Sequence, residues 1–112
     1  MRYMLLLVRS DEDWEAMGEE GRDYGSIMAF WGRLAQSGQL LGGEELQPAR
    51  TATTVSWESG RPLVTDGPFM EAKETIGGYG IIDVPDLDAA IEIARSWPAH
   101  SHKVEIRPIV QR

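Results

Sequence analysis

The chain of 112 residues contains no cysteine. This absence excludes a disulfide scaffold, a thiolate nucleophile, a cysteine-ligated zinc site and an iron–sulfur cluster. Long apolar runs are also missing: the longest, Tyr3 to Val8, is far shorter than the roughly twenty residues of a membrane-spanning helix. The same run is followed by Arg9 rather than by the small-residue cleavage site of a secretory signal. The sequence therefore predicts a cytoplasmic protein with no membrane partner.

Basic residues are scarce as well. Eleven Lys and Arg stand against eighteen Asp and Glu, which gives a formal net charge of −7. A protein that binds the phosphate backbone needs cations to displace condensed counterions, so we expect no direct nucleic-acid partner. The length fits one domain over residues 1–112, and the 42% hydrophobic content is enough for a core.

Hydrophobic periodicity predicts an α+β fold. We expect a short capped turn from Ser10 to Gly18 and no regular element over Gln39–Leu46. The predicted strands are Met1–Val8, the two halves of a hairpin over Thr53–Thr65, Ile76–Val84 and Lys103–Val110, and the predicted helices are Asp23–Ser37 and Leu87–Trp97. The order β-α-β-β-β-α-β is typical of a ferredoxin-like sandwich with one additional strand.

The first strand carries a further prediction about assembly. Side chains alternate between the faces of a strand, so an unbroken apolar run over Met1–Val8 indicates that both faces are covered. The helices of such a sandwich cover only one face. The simplest cover for the other face is a second copy of the chain, and we therefore predict a homodimer.

Residues Val64 to Glu74 read VTDGPFMEAKE, which resembles the T-D-G-P-F-x-E-x-K-E signature of the DGPF proteins, a branch of the YCII-related family. Met70 stands where a small residue is more usual. The resemblance extends over nearly the whole chain, including Gly77–Tyr79 and the closing Val104–Pro108. It implies a dimeric α+β barrel, in which two ferredoxin-like sheets face each other, and an association with extracytoplasmic-function sigma factors. It assigns no reaction.

The charged residues of this motif allow two interpretations. Asp66 precedes Gly67-Pro68, a typical turn sequence, so its carboxylate either supports the turn or serves as a base or ligand partner. Lys73 and Glu74 either orient a polar ligand or belong to a solvated charge run.

The last strand offers a second candidate site. Glu105 and Arg107 share the face opposite Val104 and Ile106. On an interior face, Arg107 either grips an anionic ligand or forms a purely structural bridge with a carboxylate such as Glu105.

Two further side chains complete the predicted site. His102 could act as a general base paired with Asp66, because imidazole titrates near neutral pH. His100 and His102 together give only a weak metal signal, so we predict neither a metal nor a cofactor. Tyr79, set between glycines, is predicted to face the ligand. We expect three of the four tryptophans in the core or a pocket wall, namely Trp31, Trp57 and Trp97.

Three functions follow from these residues. The first is a cofactor-free enzyme that uses Asp66 with His102 or Arg107 to transfer protons on a polar or anionic substrate. The second is a binding or sensing module with the same pocket and no chemistry. The third is an interaction module that works beside a sigma factor.

Overall fold

The computed structural model describes residues 1–112 as six strands, three α-helices and a short 3₁₀ turn. The elements are β1 (Arg2–Arg9), α1 (Asp11–Arg22), α2 (Tyr24–Gln36), β2 (Leu40–Glu45), the 3₁₀ turn (Ala49–Thr51), β3 (Thr53–Glu58), β4 (Arg61–Asp66), β5 (Thr75–Asp83), α3 (Leu87–Arg95) and β6 (Lys103–Pro108). The predicted α+β class is confirmed. None of the three helices combines the length and apolar character needed to cross a bilayer.

Four strands form one antiparallel sheet in the order β2-β5-β1-β6. With α2 between β1 and β2, and α3 between β5 and β6, this is the split βαβ arrangement of a ferredoxin-like fold. Strands β3 and β4 pair only with each other, as a separate two-stranded ribbon. The ribbon is thus an insertion between β2 and β5.

The edge strand β2 corrects the expectation that Gln39–Leu46 has no regular structure. Its sequence, Leu-Leu-Gly-Gly-Glu-Glu, has low β propensity, which hides the strand from pattern analysis. The strand forms because it pairs with β5. Gly43 lies so close to the backbone of Tyr79 and Gly80 that a Cβ atom would overlap it.

The first helix begins as predicted and continues after Gly18 in a second, unpredicted piece. Ser10 caps it as expected, with Oγ accepting a hydrogen bond from the backbone N–H of Asp13 at 3.2 Å. Gly18 has a φ of +66° and a ψ of 169°, which are non-helical angles, so the predicted stop at Gly18 is confirmed as a break between the two helical pieces that together make up α1. The extra turn runs to Arg22, whose Nε donates to the carbonyl of Trp14 at 2.8 Å.

The core lies between one face of the sheet and the helices. Alternation along β1 turns Tyr3, Leu5 and Leu7 to this side, where they join a cluster that includes Phe30 and Ile82. Full burial of a side chain such as Leu5 contributes about 1.5–3 kcal/mol. Two predicted core residues are confirmed there, since Trp97 is buried and Trp31 packs against the cluster.

The other face of the sheet carries no helix. Met4, Leu6 and Val8 of β1 lie on it, and the register places Tyr79 and Glu105 on either side of Leu6. These two neighbours leave Leu6 only 9% exposed. An apolar central stripe therefore runs along a face with no second layer within the chain.

Candidate functional site

A cavity of about 310 Å³ lies between the sheet and the helices. Its walls are mostly apolar, with a small polar cluster at one end. The lining residues are Leu7, Arg9, Trp14, Tyr24, Ile27, Met28, Trp31, Leu40, Gly43, Glu44, Glu45, Gly77, Gly78, Tyr79, Trp97 and His102. A mostly apolar pocket with a few convergent polar groups is the usual form of a small-molecule site.

Arg9 is the central charge of this cavity. Strand alternation places it on the helix side of β1, where the residue is only 4% exposed. Its Nη1 donates to Glu45 Oε2 at 3.1 Å and its Nη2 donates to the carbonyl of Leu46 at 3.1 Å. The guanidinium carbon lies 4.8 Å from the ring centroid of Trp14. These contacts hold a buried cation in one position.

Gly77 makes the burial of Arg9 possible. A Cβ atom at this position of β5 would overlap the Arg9 side chain. The packing leaves Arg9 Nε buried without a hydrogen bond, although Asp11 Oδ1 lies 3.7 Å away as an ion-pair partner. The cation thus keeps one N–H that no atom of the chain accepts.

Glu45 connects this cation to a phenol. The Tyr24 hydroxyl donates to Glu45 Oε2 at 2.9 Å, and the second carboxylate oxygen lies at 3.2 Å. Burial, followed by the hydrogen bond and the charge of Glu45, raises the pKa of Tyr24 above its ordinary value of 10.0. Tyr24 is therefore a protonated donor at neutral pH, and Glu45 is the shared acceptor of the cluster.

His102 lies in the turn before β6, between two indole rings. Its Nδ1 accepts a hydrogen bond from Trp97 Nε1 at 3.2 Å, and its ring stacks on Trp97 with an interplanar angle of 22°. The ring centroid of Trp14 lies 4.7 Å away. Burial, and then the positive charge of Arg9, lowers the pKa of His102 from 6.5 to about 4.

The hydrogen bond of His102 also fixes its tautomer. Because Nδ1 accepts from the indole, the proton of the neutral ring is assigned to Nε2. This Nε2 atom is buried and has no partner within the chain. At neutral pH the ring thus donates through Nε2, while Nδ1 is occupied as the acceptor of the Trp97 hydrogen bond. No three acidic or imidazole side chains gather as metal ligands would.

A second cavity, of about 490 Å³, adjoins the first. It is lined by two of the predicted ligand residues, Lys73 and Glu74, and it shares Arg9 and Trp14 with the first cavity. Glu74 Oε1 accepts from Lys103 Nζ at 2.7 Å across the exposed surface. Arg9 and Trp14 thus separate the two cavities, and Lys73 and Glu74 lie on the side of the second cavity.

Asp66 lies outside both cavities. It is the last residue of β4, opposite Thr53, and its exposed carboxylate makes no hydrogen bond within the chain. The turn after it is held by backbone: Gly67 has a φ of +99° and its N–H donates to the carbonyl of Ala52 at 2.7 Å. No hydrogen bond joins Asp66 to His102 within one chain, so their pairing stays a prediction.

The remaining predicted residues lie on or beside the helix-free face of the sheet. Glu105 and Arg107 occupy the face opposite Val104 and Ile106, with Arg107 Nη1 at 3.5 Å from Glu105 Oε2. Both side chains are more than half exposed, and such ion pairs contribute about 0–1 kcal/mol. Tyr79, opposite Leu6 in the register, borders the cavity from β5.

Sequence reasoning missed three members of the polar cluster: Arg9, Tyr24 and Glu45. One signal was available for Arg9. Alternation from Tyr3 through Leu5 and Leu7 places Arg9 on the same buried face. No comparable pattern marks Glu45, because its strand has no alternation that could be recognised.

Comparison with known proteins identifies the family of the chain. A family model described as the YCII-related domain matches residues 1–111. An uncharacterized protein of Rhizobium meliloti (strain 1021) is 31% identical over 94 residues, which cover 81% of this chain and 76% of the relative. The chain therefore belongs to the YCII-related family.

Proposed function

We propose that this YCII-related protein binds a small molecule with an apolar body and an anionic or polar oxygen group, in the cavity between the sheet and the helices. One observation carries the proposal: the apolar cavity is lined by two residues, Arg9 and His102, each with a buried nitrogen that lacks a hydrogen-bond partner. Buried polar groups in native proteins are nearly always paired. Both nitrogens are closed to solvent, so a small shift of the Arg9 or His102 side chain would let an acceptor oxygen of a ligand supply the missing partner.

Electrostatics supports an oxygen-bearing ligand. The Arg9 guanidinium is held in an interior of low effective dielectric, where a charge acts more strongly than in water. Glu45 offsets part of this charge, so a polar oxygen and a carboxylate are both acceptable ligand groups. The aromatic walls, from Trp14, Trp31 and Trp97, suit a flat apolar body.

Binding is favoured over proton transfer by His102. Its lowered pKa keeps the ring neutral at neutral pH. The Trp97 hydrogen bond occupies Nδ1 and so places the one ring proton on Nε2, which leaves no free basic nitrogen. Asp66, the predicted partner of this histidine, lies outside the cavity. A cofactor-free acid–base reaction would instead use the Tyr24–Glu45 pair, the one hydroxyl–carboxylate contact of the cavity.

A test needs both a search for a ligand and a defined probe. Native mass spectrometry of the purified protein should detect a co-purifying small molecule. Titration with benzoate, phenylacetate and benzyl alcohol should quench the fluorescence of the cavity tryptophans. We expect Arg9→Gln to weaken carboxylate binding at least tenfold, with little effect on benzyl alcohol.

Two further variants separate binding from folding. Arg107→Gln removes an exposed arginine on the other face of the sheet and should leave binding unchanged. Tyr24→Phe keeps the fold and alters only the Glu45 contact, so it reports on the site if Arg9→Gln unfolds. Equal binding by all variants, or no quenching by any probe, would contradict the proposal.

The proposal also covers the oligomeric state of the protein and its branch within the YCII-related family. The apolar stripe of Met4, Leu6 and Val8 on a helix-free face supports a homodimeric α+β barrel in which this face is covered. The VTDGPFMEAKE run supports membership of the DGPF branch. Sedimentation equilibrium at micromolar concentration should give about twice 12.5 kDa. A monomeric protein would contradict the dimeric barrel.

One observation favours a second candidate function, an interaction module beside an extracytoplasmic-function sigma factor. In the loop after β4, Phe69 is 81% and Met70 is 65% exposed. Exposed apolar side chains of this kind mark contact sites. Co-expression with the sigma factor encoded nearest to this gene should give a complex that Phe69→Ser/Met70→Ser disrupts; its absence with the wild type would remove this candidate.

A further inference from the structure

The ribbon of β3 and β4, residues Thr53–Asp66, is called the arm below. Its register pairs Val55 with Val64 and Trp57 with Pro62, so one face of the arm is a continuous apolar patch. Trp57 is 70%, Val64 66% and Val55 47% exposed. The expectation that Trp57 lies in a core or pocket wall is therefore wrong for the single chain. We call this surface the apolar face of the arm.

On the opposite face of the arm, the polar residues are the more buried ones. Thr54 and Ser56 are polar, yet both are half-buried. Thr54 Oγ1 donates to the carbonyl of Gly67 at 2.7 Å, which ties the base of the arm to the loop after it. The half-buried residues of the arm are thus the polar Thr54 and Ser56, and its most exposed residues include the apolar Trp57 and Val64.

The chain as a whole exposes more surface than a compact protein of its mass. A compact folded monomer of 12.5 kDa exposes about 6,200 Å², whereas this chain exposes 7848 Å². Its radius of gyration is 16.0 Å, against about 13 Å for a compact domain of this length. The excess is about 1,650 Å² per chain, on a body only 19 Å thick.

Two-stranded ribbons are marginally stable in water without a packed face. The arm pairs with no strand of the main sheet. Its apolar face therefore needs a cover that the rest of the same chain does not supply.

We infer that the apolar face of the arm docks on a second copy of this chain, and that the two copies exchange arms reciprocally. The surface excess supports a second copy as the occupant: if each chain buries its excess, two copies bury about 3,300 Å² together, within the range of 2,000–5,000 Å² found in obligate homodimers. A two-fold axis satisfies both arms with one kind of contact. The inference rests on the proposed homodimer and adds the element that holds it together.

The docked arm also explains the isolation of Asp66. In the register, Asp66 shares the apolar face with Val64 and Trp57, at the base of the arm. Reciprocal docking places this carboxylate in the interface, where the partner provides its surroundings. The central aspartate of the motif then acts between two chains.

Matched variants on the two faces of the arm test this inference. Trp57→Thr/Val64→Thr removes the apolar face but keeps β-branched residues in the strands. Leu63→Thr makes the same kind of change on the opposite face, at a residue that is 47% exposed. Sedimentation equilibrium from 1 to 100 µM should show a dimer dissociation constant at least a hundredfold higher for the double variant, and within threefold of wild type for Leu63→Thr.

Hydrogen exchange of the wild type gives a second measurement that does not depend on variants. Peptides covering residues 53–66 should exchange at least tenfold more slowly in the dimer than after dilution to monomer. If the wild-type protein is a dimer whose arm exchanges at unfolded rates, and if the double variant has the same dissociation constant, the exchange of arms is refuted and the proposed homodimer stands. A wild type that is monomeric at 100 µM would overturn both.

Discussion

The neutral, buried state of His102 predicts a specific loss of stability in acid. The informative substitution is His102→Asn, because the asparagine side-chain oxygen replaces Nδ1 as acceptor for Trp97 Nε1 but does not titrate. His100→Asn is the matched control, since His100 is exposed two residues earlier on the same turn.

The sign and size of the effect follow from the lowered pKa. The unfolded chain, with a pKa of 6.5, binds a proton more readily than the folded chain, with a pKa of about 4. Stability is therefore fully present above pH 6.5 and is lost as the pH falls towards 4. The ceiling for this difference is about 3.4 kcal/mol. Because the ring is only half-buried, solvent screening reduces it to about 1–1.5 kcal/mol at pH 4.5.

Urea unfolding followed by circular dichroism measures this difference at pH 7.5 and 4.5, at one protein concentration for all three proteins. The wild type and His100→Asn should lose about 1–1.5 kcal/mol more than His102→Asn on acidification, equivalent to roughly 4–6 °C in Tm. Carboxylate titration is common to the three proteins and cancels. Equal losses for wild type and His102→Asn would refute the burial of a neutral imidazole between Trp97 and Trp14.

Three further predictions concern a close packing contact, a helix cap and the turn after β4. Gly77→Ala should cost about 1–3 kcal/mol in urea unfolding because its methyl group overlaps Arg9, whereas Gly42→Ala, with nothing within 4 Å, should be nearly neutral; equal effects would contradict the tight contact. Asp86→Ala should cost about 1 kcal/mol by removing the acceptor for the Ala89 N–H at 3.0 Å, and an unchanged melting curve would contradict this cap. Asp66→Asn should change the stability of the monomeric chain, measured at low concentration, by less than about 0.5 kcal/mol, and a larger loss there would show that the carboxylate supports the turn.

The periodic parts of the fold could be predicted from the sequence. Leu87, Ala90, Ile91 and Ala94 share one helical face, and Asp86 before them supplies the cap, so α3 was predicted to within two residues of its end. The same held for β1 and the arm, where apolar residues and turn residues mark each boundary. Local patterns are sufficient when the information lies within one element.

The cavity could not be predicted in the same way. Arg9 is buried only because Gly77 on β5 leaves space and Glu45 on β2 supplies the opposite charge. These three residues come from strands that are far apart in the sequence. The predictions placed the site on the charges of the motif, such as Asp66, because a local pattern shows where charges are dense and not where a fold buries one.

The sheet order also governs how the chain reaches its native state. The central strand β1 comes first in the sequence, yet its partners are β5 and β6, with Tyr3 opposite Pro108 about a hundred residues later. At 5–20 residues per second, synthesis of that interval takes roughly 5–20 s. Until β5 has been made, about eighty residues after β1, the apolar run from Tyr3 to Val8 has no strand to pair with, and β6 follows later still. Pairings of such long range form slowly even in a finished chain. The protein is therefore most vulnerable to aggregation while it is being made, and a chaperone that shields short apolar segments would act on β1 before any other part of the fold.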